Sequence, residues 1–177
     1  MIAIIAAVSS NGVYGSTNGL PWSFKRDMEF FRAQTSGSTI IMGRSTWDSL
    51  ERNTPLPNRQ NIVVTTTNPD VPEGVMKTST VRQAIELAER DKVFLIGGKN
   101  IWLEGIRELA DTLFVTEILS EFIEEQGFVF QGLTRPGHFT NRTFSKHTIG
   151  DEVTEDVDRL TGKMHRLHFA RYDLFQI

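Results

Sequence analysis

An aspartate stands where an apolar side chain belongs. Residues 23–35 (SFKRDMEFFRAQT) are predicted to form a helix opened by Ser23 after the breaker Pro21. Phe24, Met28 and Phe31 recur at helical spacing and are expected to face the core. Asp27 lies three residues after Phe24 and four before Phe31, so it shares their face. An ionised carboxylate among aromatics is costly unless a cation or good donors meet it. Three readings follow: an acid in a first helical turn that suits the macrodipole, an acid paired with Lys25 or Arg26 at the rim, or an acid kept for a ligand.

Two strand–turn–helix junctions are the second source of chemistry. At Met42-Gly43-Arg44-Ser45-Thr46, a helix start offers free amides, two hydroxyls and a guanidinium. At Ile96-Gly97-Gly98-Lys99-Asn100, two glycines allow a ligand close to the backbone before another helix start. Such starts attract phosphate through exposed N–H donors, and an arginine adds a charged fork suited to a phosphate monoester. Thr65 and Thr66, ending a neighbouring strand, add hydroxyls. Gly-Gly after a strand is also an ordinary turn. Two junctions in one small chain together suggest a phosphorylated or dinucleotide cofactor. The glycines of residues 11–22 (NGVYGSTNGLPW) do not fit GxGxxG, so the Rossmann fingerprint is absent there.

The elements that must position these groups alternate in type. Ile2–Ser9 is a continuous apolar run, predicted as a strand buried on both faces, and residues 11–22 follow as a mobile glycine-rich loop. Strands are expected at 39–42, 61–66, 93–96 and Thr112–Ile118. Helices are expected at 44–50, at 80–91 behind a Thr80/Gln83 capping box, and from about Asn100. An antiparallel pair near Thr143–Thr148 and Met164–Phe175 closes the chain. The fold class is therefore α/β: a single domain over residues 1–177, with a central, mostly parallel sheet, an antiparallel C-terminal strand and helices on both faces. Ligands in such sheets bind beyond the carboxyl ends of strands, where Asp27, Arg44, Thr65, Gly97 and Thr116 are expected to converge.

Composition removes several classes. The net charge is −3 and no Lys/Arg cluster is dense, which argues against nucleic acid as a partner. There is no cysteine, hence no disulfide and no thiolate chemistry, in keeping with a cytoplasmic protein. The early apolar run is too short to span a membrane and lacks a basic leader. No metal site is expected: His165 and His168, in a strand, point to opposite faces.

These residues carry a resemblance. Ile2, Ile5, Ala6 and Ala7 in the first strand, Gly15 with Asn18-Gly19-Leu20-Pro21-Trp22, and then Asp27 follow in the order seen in dihydrofolate reductases of the single-domain bacterial type. The most specific string is Ile41-Met42-Gly43-Arg44-Ser45-Thr46-Trp47. Leu56-Pro57-Asn58-Arg59, Ile96-Gly97-Gly98 and Thr116 come after it at suitable distances. The match is close over residues 1–118 and loose beyond.

The resemblance implies reduction of 7,8-dihydrofolate to tetrahydrofolate by hydride from NADPH. It makes Asp27 the acid that holds the pteridine's amidine-like edge, Thr116 the residue that steadies it, and Trp22 the third member of the catalytic set. Ile5, Ala6, Met28, Phe31, Leu50 and Leu56 are implied to wall the folate. Arg59 would grip its glutamate carboxylate, with Arg32 and Arg52 at the rim. Ala7, Leu20 and Trp22 would border the nicotinamide. Ser45, Thr46, Gly97 and Gly98 would take the pyrophosphate, and Arg44, Thr65 and Thr66 the adenosine 2′-phosphate. Gly15, Asn18, Gly43, Ile96, Lys99, Asn100 and Trp102 complete the cofactor side. The expected partners are dihydrofolate and NADPH alone, and the expected state is a monomer.

The chain departs from the family pattern in places. Lys99 stands where a third glycine is common, as a phosphate cation or a solvated side chain. Trp102 replaces a usual tyrosine, and Glu117 follows Thr116. Glu124-Glu125-Gln126-Gly127-Phe128-Val129-Phe130 lacks the Gly-Asp-Thr string whose acid latches the mobile loop in the family. The acidic stretch at 151–158 (DEVTEDVD) reads as a solvated hairpin loop. Two alternatives stay open: a related pteridine or pyrimidine reductase, against which Asp27 with Arg59 argues, and a non-catalytic folate- or nucleotide-binding structural protein, which turnover would exclude.

Overall fold

The computed structural model describes residues 1–17, 19–122, 127–130, 143–150 and 153–175. In chain order the elements are β1 (Ile2–Ser9), β2 (Val13–Ser16), α1 (Lys25–Thr35), β3 (Thr39–Gly43), α2 (Arg44–Ser49), β4 (Gln60–Val64), β5 (Val75–Thr78), α3 (Val81–Glu86), β6 (Val93–Gly97), α4 (Lys99–Glu104), β7 (Thr112–Ile118), β8 (Gly127–Val129), β9 (Thr143–Thr148), β10 (Thr154–Val157) and β11 (Met164–Phe175). The main sheet runs β10-β11-β7-β1-β6-β3-β4-β5, with β9 on the same edge of β11 as β10. From β7 to β5 every pairing is parallel, and β11 enters antiparallel to β7. The predicted α/β class, parallel centre and antiparallel C-terminal strand hold.

Side-chain alternation in β1 sorts the core into two faces. Ile4 and Val8 pack with Ile101 and Trp102 of α4 and with Val81 and Ala84 of α3. Ala3 and Ile5 pack on the other face with Trp47 of α2 and, less buried, Phe30 and Phe31 of α1. Helices thus cover both faces. After α4 the chain makes a π-helical turn, Gly105–Leu109, that lies tight on the sheet. A Cβ on Gly105 would sit 2.6 Å from Leu95 and 2.9 Å from Ile4, so glycine is what lets this turn come so close. Among the described residues no helix is long and apolar enough to cross a membrane, which says nothing of β-barrels.

Several expectations are corrected. Helix α1 begins at Lys25 rather than Ser23, and its N-cap residue, Phe24, supplies no capping side chain. Met28 is 39% exposed, so it lies beside the core and not in it. Half of the Thr80 capping box forms: Gln83 N–H donates to Thr80 Oγ1, while Gln83 Oε1 accepts from Ser79 N–H, one residue before the N-cap. Yet α3 ends at Glu86 and not near residue 91. The Gln60 side chain intercepts the backbone there, donating to Leu87 O and accepting from Glu89 N–H. The glycine-rich stretch 11–22 contains β2, paired antiparallel with β8. The acidic stretch contains β10, paired with β11, and Asp158 is buried rather than solvated.

Candidate active site

Helix α1 lays Asp27 against the end of β7. The carboxyl is 8% exposed, and Thr116, 1% exposed, offers it a hydroxyl donor. The register places Thr116 opposite Ala7 of β1 and Phe169 of β11, so strands on either side fix its direction. Burial pushes Asp27 up to about 6; the Thr116 hydrogen bond opposes this, and the charge of Asp156 adds to it. Among the described residues no cation pairs with it. Lys25 pairs with Glu29 at 3.7 Å, and Arg26 gives its backbone N–H to Asp156. The rim-pairing reading of Asp27 is therefore set aside.

Around this acid the second core face gathers Ile5, Phe31, Leu50 and Leu56 in one apolar cluster, with Phe94 and Phe114 beneath. Met28 on α1 and Leu20 before it, 39% and 49% exposed, leave apolar surface open beside the acid. Ala6 is an exception: strand alternation turns its side chain into the opposite cluster, so only its backbone faces this side. Ala7 packs with Trp22, Phe24 and Phe169. Trp22 is buried against Phe122, and its indole N–H has no partner among the described residues. A buried orphan donor of this kind fits a bound water or ligand acceptor.

Arg59 lies at the far end of α1. Its guanidinium donates to Thr35 Oγ1 at 3.0 Å and to Pro57 O, and stands over the Phe31 ring. Burial and the like charge of Arg32 pull its pKa below the ordinary arginine value, while leaving it a cation. Exposed Arg32 shares this end. Arg52 lies in the single 3₁₀ turn Glu51–Asn53, and its side chain falls outside the described residues, as does Asn18 altogether.

The two glycine junctions meet. A Cβ on Gly98 would lie 3.8 Å from both Ser45 Oγ and Thr46 Oγ1, and one on Gly43 would lie 3.6 Å from Gly98 N. Gly97 has φ +133°, and its Cβ would stand 3.1 Å from the Trp102 ring and 3.2 Å from Thr46 Oγ1. The β3–β6 register break, where Met42 pairs with Gly97 past Ile96, brings the two turns level. The result is a floor of backbone and hydroxyls that side chains would fill. Such a floor fits the phosphates of a dinucleotide. Ile96 is half-buried in the apolar cluster beside it, while Lys99 and Asn100 are exposed at the start of α4. Lys99 stands over the Phe130 ring. Trp102 supports the floor from below. It is 5% exposed, packs edge-on to Tyr14, and spends its N–H on Leu95 O, so its part is packing rather than contact at the surface.

At the outer edge, Arg44 is exposed on α2 and donates to Asp48; Thr65 Oγ1 bonds the Thr67 hydroxyl and accepts Thr67 N–H, and Thr66 is exposed beside them. Gly15 sits in β2, with Gly19 O and the Phe128 ring as neighbours. Residues 124–126 lie outside the described residues. The segment after them ties the β2 region by backbone pairing and by Phe130 N–H to Gly12 O, with Phe128 tilted on Tyr14. Glu117 points to the face away from Thr116. Burial raises its pKa, but hydrogen bonds from Lys146, Tyr172 and His168 outweigh this and hold it below the usual range.

Sequence reasoning missed Asp156 and Asp158. Both lie in a stretch whose charge reads as solvated, and Thr154–Val157 (TEDV) has no apolar alternation to mark it as a strand. Asp158 accepts Ser23 N–H, Leu160 N–H and the Thr161 hydroxyl. Among the described residues no group of three or more His, Asp or Glu could hold a metal.

Comparison with known proteins adds an independent line. A family model described as dihydrofolate reductase matches residues 1–155. A dihydrofolate reductase of Bacillus subtilis (strain 168) is 36% identical over 129 residues, 72% of this chain and 75% of that protein. A dihydrofolate reductase type 3 of Salmonella typhimurium is 34% identical over 119 residues, 67% of this chain and 72% of its own length. Among solved structures, dihydrofolate reductase from Enterococcus faecalis, complexed with NADP(H) and RAB-propyl, superposes with TM-score 0.71 at 24% identity, covering 98% of this chain and 96% of that one.

Proposed function

This chain belongs to the dihydrofolate reductase family, and on that premise we propose that Asp27 is the acid of an NADPH-dependent reduction of 7,8-dihydrofolate to 5,6,7,8-tetrahydrofolate. The observation that carries this reading is the buried Asp27 carboxyl, raised to about 6, with the neutral Thr116 donor and, among the described residues, no cation paired with it. A pteridine presents a ring N–H and an amino group side by side, which is the complement of a carboxylate. The Thr116 hydroxyl donates to the acid and steadies it beside β7.

NADPH supplies the hydride. The residues present fit it: the glycine floor with Ser45 and Thr46 for the pyrophosphate, Arg44 with Thr65 and Thr66 for the 2′-phosphate, and Ala7, Leu20 and Trp22 toward the nicotinamide. The carbon that takes the hydride neighbours a nitrogen that needs a proton. Among the described residues no histidine lies near Asp27 except His165, which stacks on Phe122 and meets Phe24 edge-on. The proton therefore comes through water, and Asp27, with a pKa lifted toward neutrality, favours the protonated pteridine. Ile5, Phe31, Leu50 and Leu56 exclude solvent from the ring, and Arg59 meets the glutamate carboxylate.

The same reading has the chain act as one domain and as a monomer in the cytoplasm, without nucleic-acid or membrane partners. The continuous sheet supports the single domain. Equilibrium sedimentation tests the monomer.

The function is tested by following NADPH absorbance on adding dihydrofolate, beside Asp27→Asn. Loss of absorbance that needs both substrates and Asp27 is the expected result. Tight NADPH binding without turnover would overturn it in favour of a non-catalytic binder.

A further inference from the structure

Helix α1 carries the acid but has no local cap. Its N-cap residue is Phe24, whose side chain accepts nothing, so the first-turn amides need an acceptor from elsewhere. The acceptor comes from the other end of the chain. Asp156 Oδ2 on β10 accepts Arg26 N–H at 2.7 Å, across 130 residues of sequence. Its Oδ1 accepts Val157 N–H at 2.9 Å, which fixes the carboxylate's orientation. Arg26 is the second residue of the helix, and its amide is one that an N-cap side chain would ordinarily take. Asp27 is the next residue.

We infer that Asp156 is a positioning residue for Asp27: it seats the first turn of the helix that carries the acid, and it keeps a negative charge beside that acid. This inference rests on Asp27 being the site's acid, but the contact itself does not depend on any reaction. Half-buried Asp156 brings the two effects in one group. As a cap it holds α1 in register over β7, so the carboxyl of Asp27 meets Thr116. As an anion it disfavours a second anion nearby, which keeps Asp27 protonated to higher pH than burial alone would. A cation capping the same turn could do neither.

Among the described residues few groups face this pair. From β7 comes the Thr116 hydroxyl. From β11 comes His165, the register partner of Asp156, whose Nδ1 lies 2.9 Å from Ser120 Oγ. On α1 itself Lys25 is drawn to Glu29. Asp158, in the turn after β10, is spent on Ser23 N–H, Leu160 N–H and Thr161. Asp156 is thus the charged group best placed to act on Asp27.

Two substitutions separate the effects. Asp156→Asn keeps a carbonyl acceptor for Arg26 N–H but removes the charge; Asp156→Ala removes both. The readout is the titration of Asp27 itself, followed by carboxyl ¹³C NMR on the ligand-free protein and assigned with Asp27→Asn. The Asp27 midpoint is expected to fall by roughly half a pH unit in both variants. Hydrogen exchange at the Arg26 amide is expected to quicken at least about tenfold in Asp156→Ala and little in Asp156→Asn. Repeating the titration in a His165→Phe background removes the neighbouring imidazole from the curve. An unchanged Asp27 midpoint in Asp156→Asn overturns the electrostatic role. Unchanged Arg26 exchange in Asp156→Ala overturns the seating role. If the alanine variant does not fold, the exchange comparison is made with Asp156→Ser, whose hydroxyl is too short to reach the amide. Neither measurement uses turnover, so an inactive wild-type protein would refute the proposed reaction and leave this result standing.

Discussion

Arg44 donates its Nε–H to both carboxylate oxygens of Asp48, at 2.7 Å to each, one helical turn further along α2. Its Nη1 also reaches toward Thr67 Oγ1 at 3.5 Å. The cation proposed to read a 2′-phosphate is therefore already engaged by an acid that a phosphate must displace. The pair is exposed, so the competition is mild. Asp48→Asn is expected to tighten NADPH by about two- to fivefold with little change for NADH. Arg44→Ala is expected to weaken NADPH by more than about tenfold, again sparing NADH. Calorimetric titration of both cofactors checks this; equal changes for the two would show that Arg44 does not read the 2′-phosphate.

Asp27 sets a pH dependence in both rate and stability. Its folded pKa, about 6, lies above the unfolded value of 3.8, so the folded protein binds a proton more tightly. The stability this contributes is complete below pH 3.8 and is lost as pH rises through about 6. Asp27→Asn is therefore expected to be more stable than wild type at pH 8, by up to about 3 kcal/mol, with the gap closing toward pH 4. Urea unfolding at several pH values measures it. The single-turnover rate of the wild type should fall above pH 6, whereas Asp27→Asn should be slower by at least about a hundredfold near neutrality. A variant as fast as wild type would remove Asp27 from the mechanism.

Asp158 is depressed instead of raised. Burial pushes it up, but the Thr161, Ser23 and Leu160 donors and the nearby His165 outweigh that. It is covered by its own turn and takes three donors, one from the segment leading into α1. Asp158→Ala is expected to cost about 2–4 kcal/mol at pH 7. A depressed acid stabilises above its unfolded pKa, so the cost should shrink as pH drops below 4. A cost independent of pH would mean that packing, not the carboxylate, is what the variant loses.

Gly97→Ala probes the glycine floor. The residue sits at φ +133°, and the new methyl would press on the Trp102 ring and Thr46 Oγ1. A loss of about 1–3 kcal/mol is expected, together with weakened NADPH binding. Gly150, at φ +73° with nothing within 4 Å of its Cβ, is the control. Gly150→Ala should lose stability from the backbone alone and bind NADPH normally. Matching cofactor losses in the two variants would show that the floor at Gly97 has no special role.

Much of this architecture is written in local pattern. Ile2–Ser9 and Thr112–Ile118 are read with their observed bounds, because each is rich in the apolar and β-branched residues that a strand buried on both faces needs. Other boundaries are not local. Helix α3 stops where Gln60, from another strand, takes the backbone groups of Leu87 and Glu89. Strand β2 forms because β8 lies beside it, and the glycines of residues 11–22 promise only a loop.

The site divides in the same way. The sequence by itself determined that an acid lies on the inner face of a helix, that glycines precede two helix starts, and that no thiol takes part, because these follow from residue type and spacing. Tertiary structure alone decided that Ala6 faces away from the cleft and that Trp102 supports the floor from beneath. It alone brought an acidic C-terminal strand to the mouth of α1, where Asp156 caps a helix and charges the surroundings of Asp27. Burial and charge–charge proximity are properties of packed neighbours, and residues 130 positions apart become neighbours only when the sheet has closed.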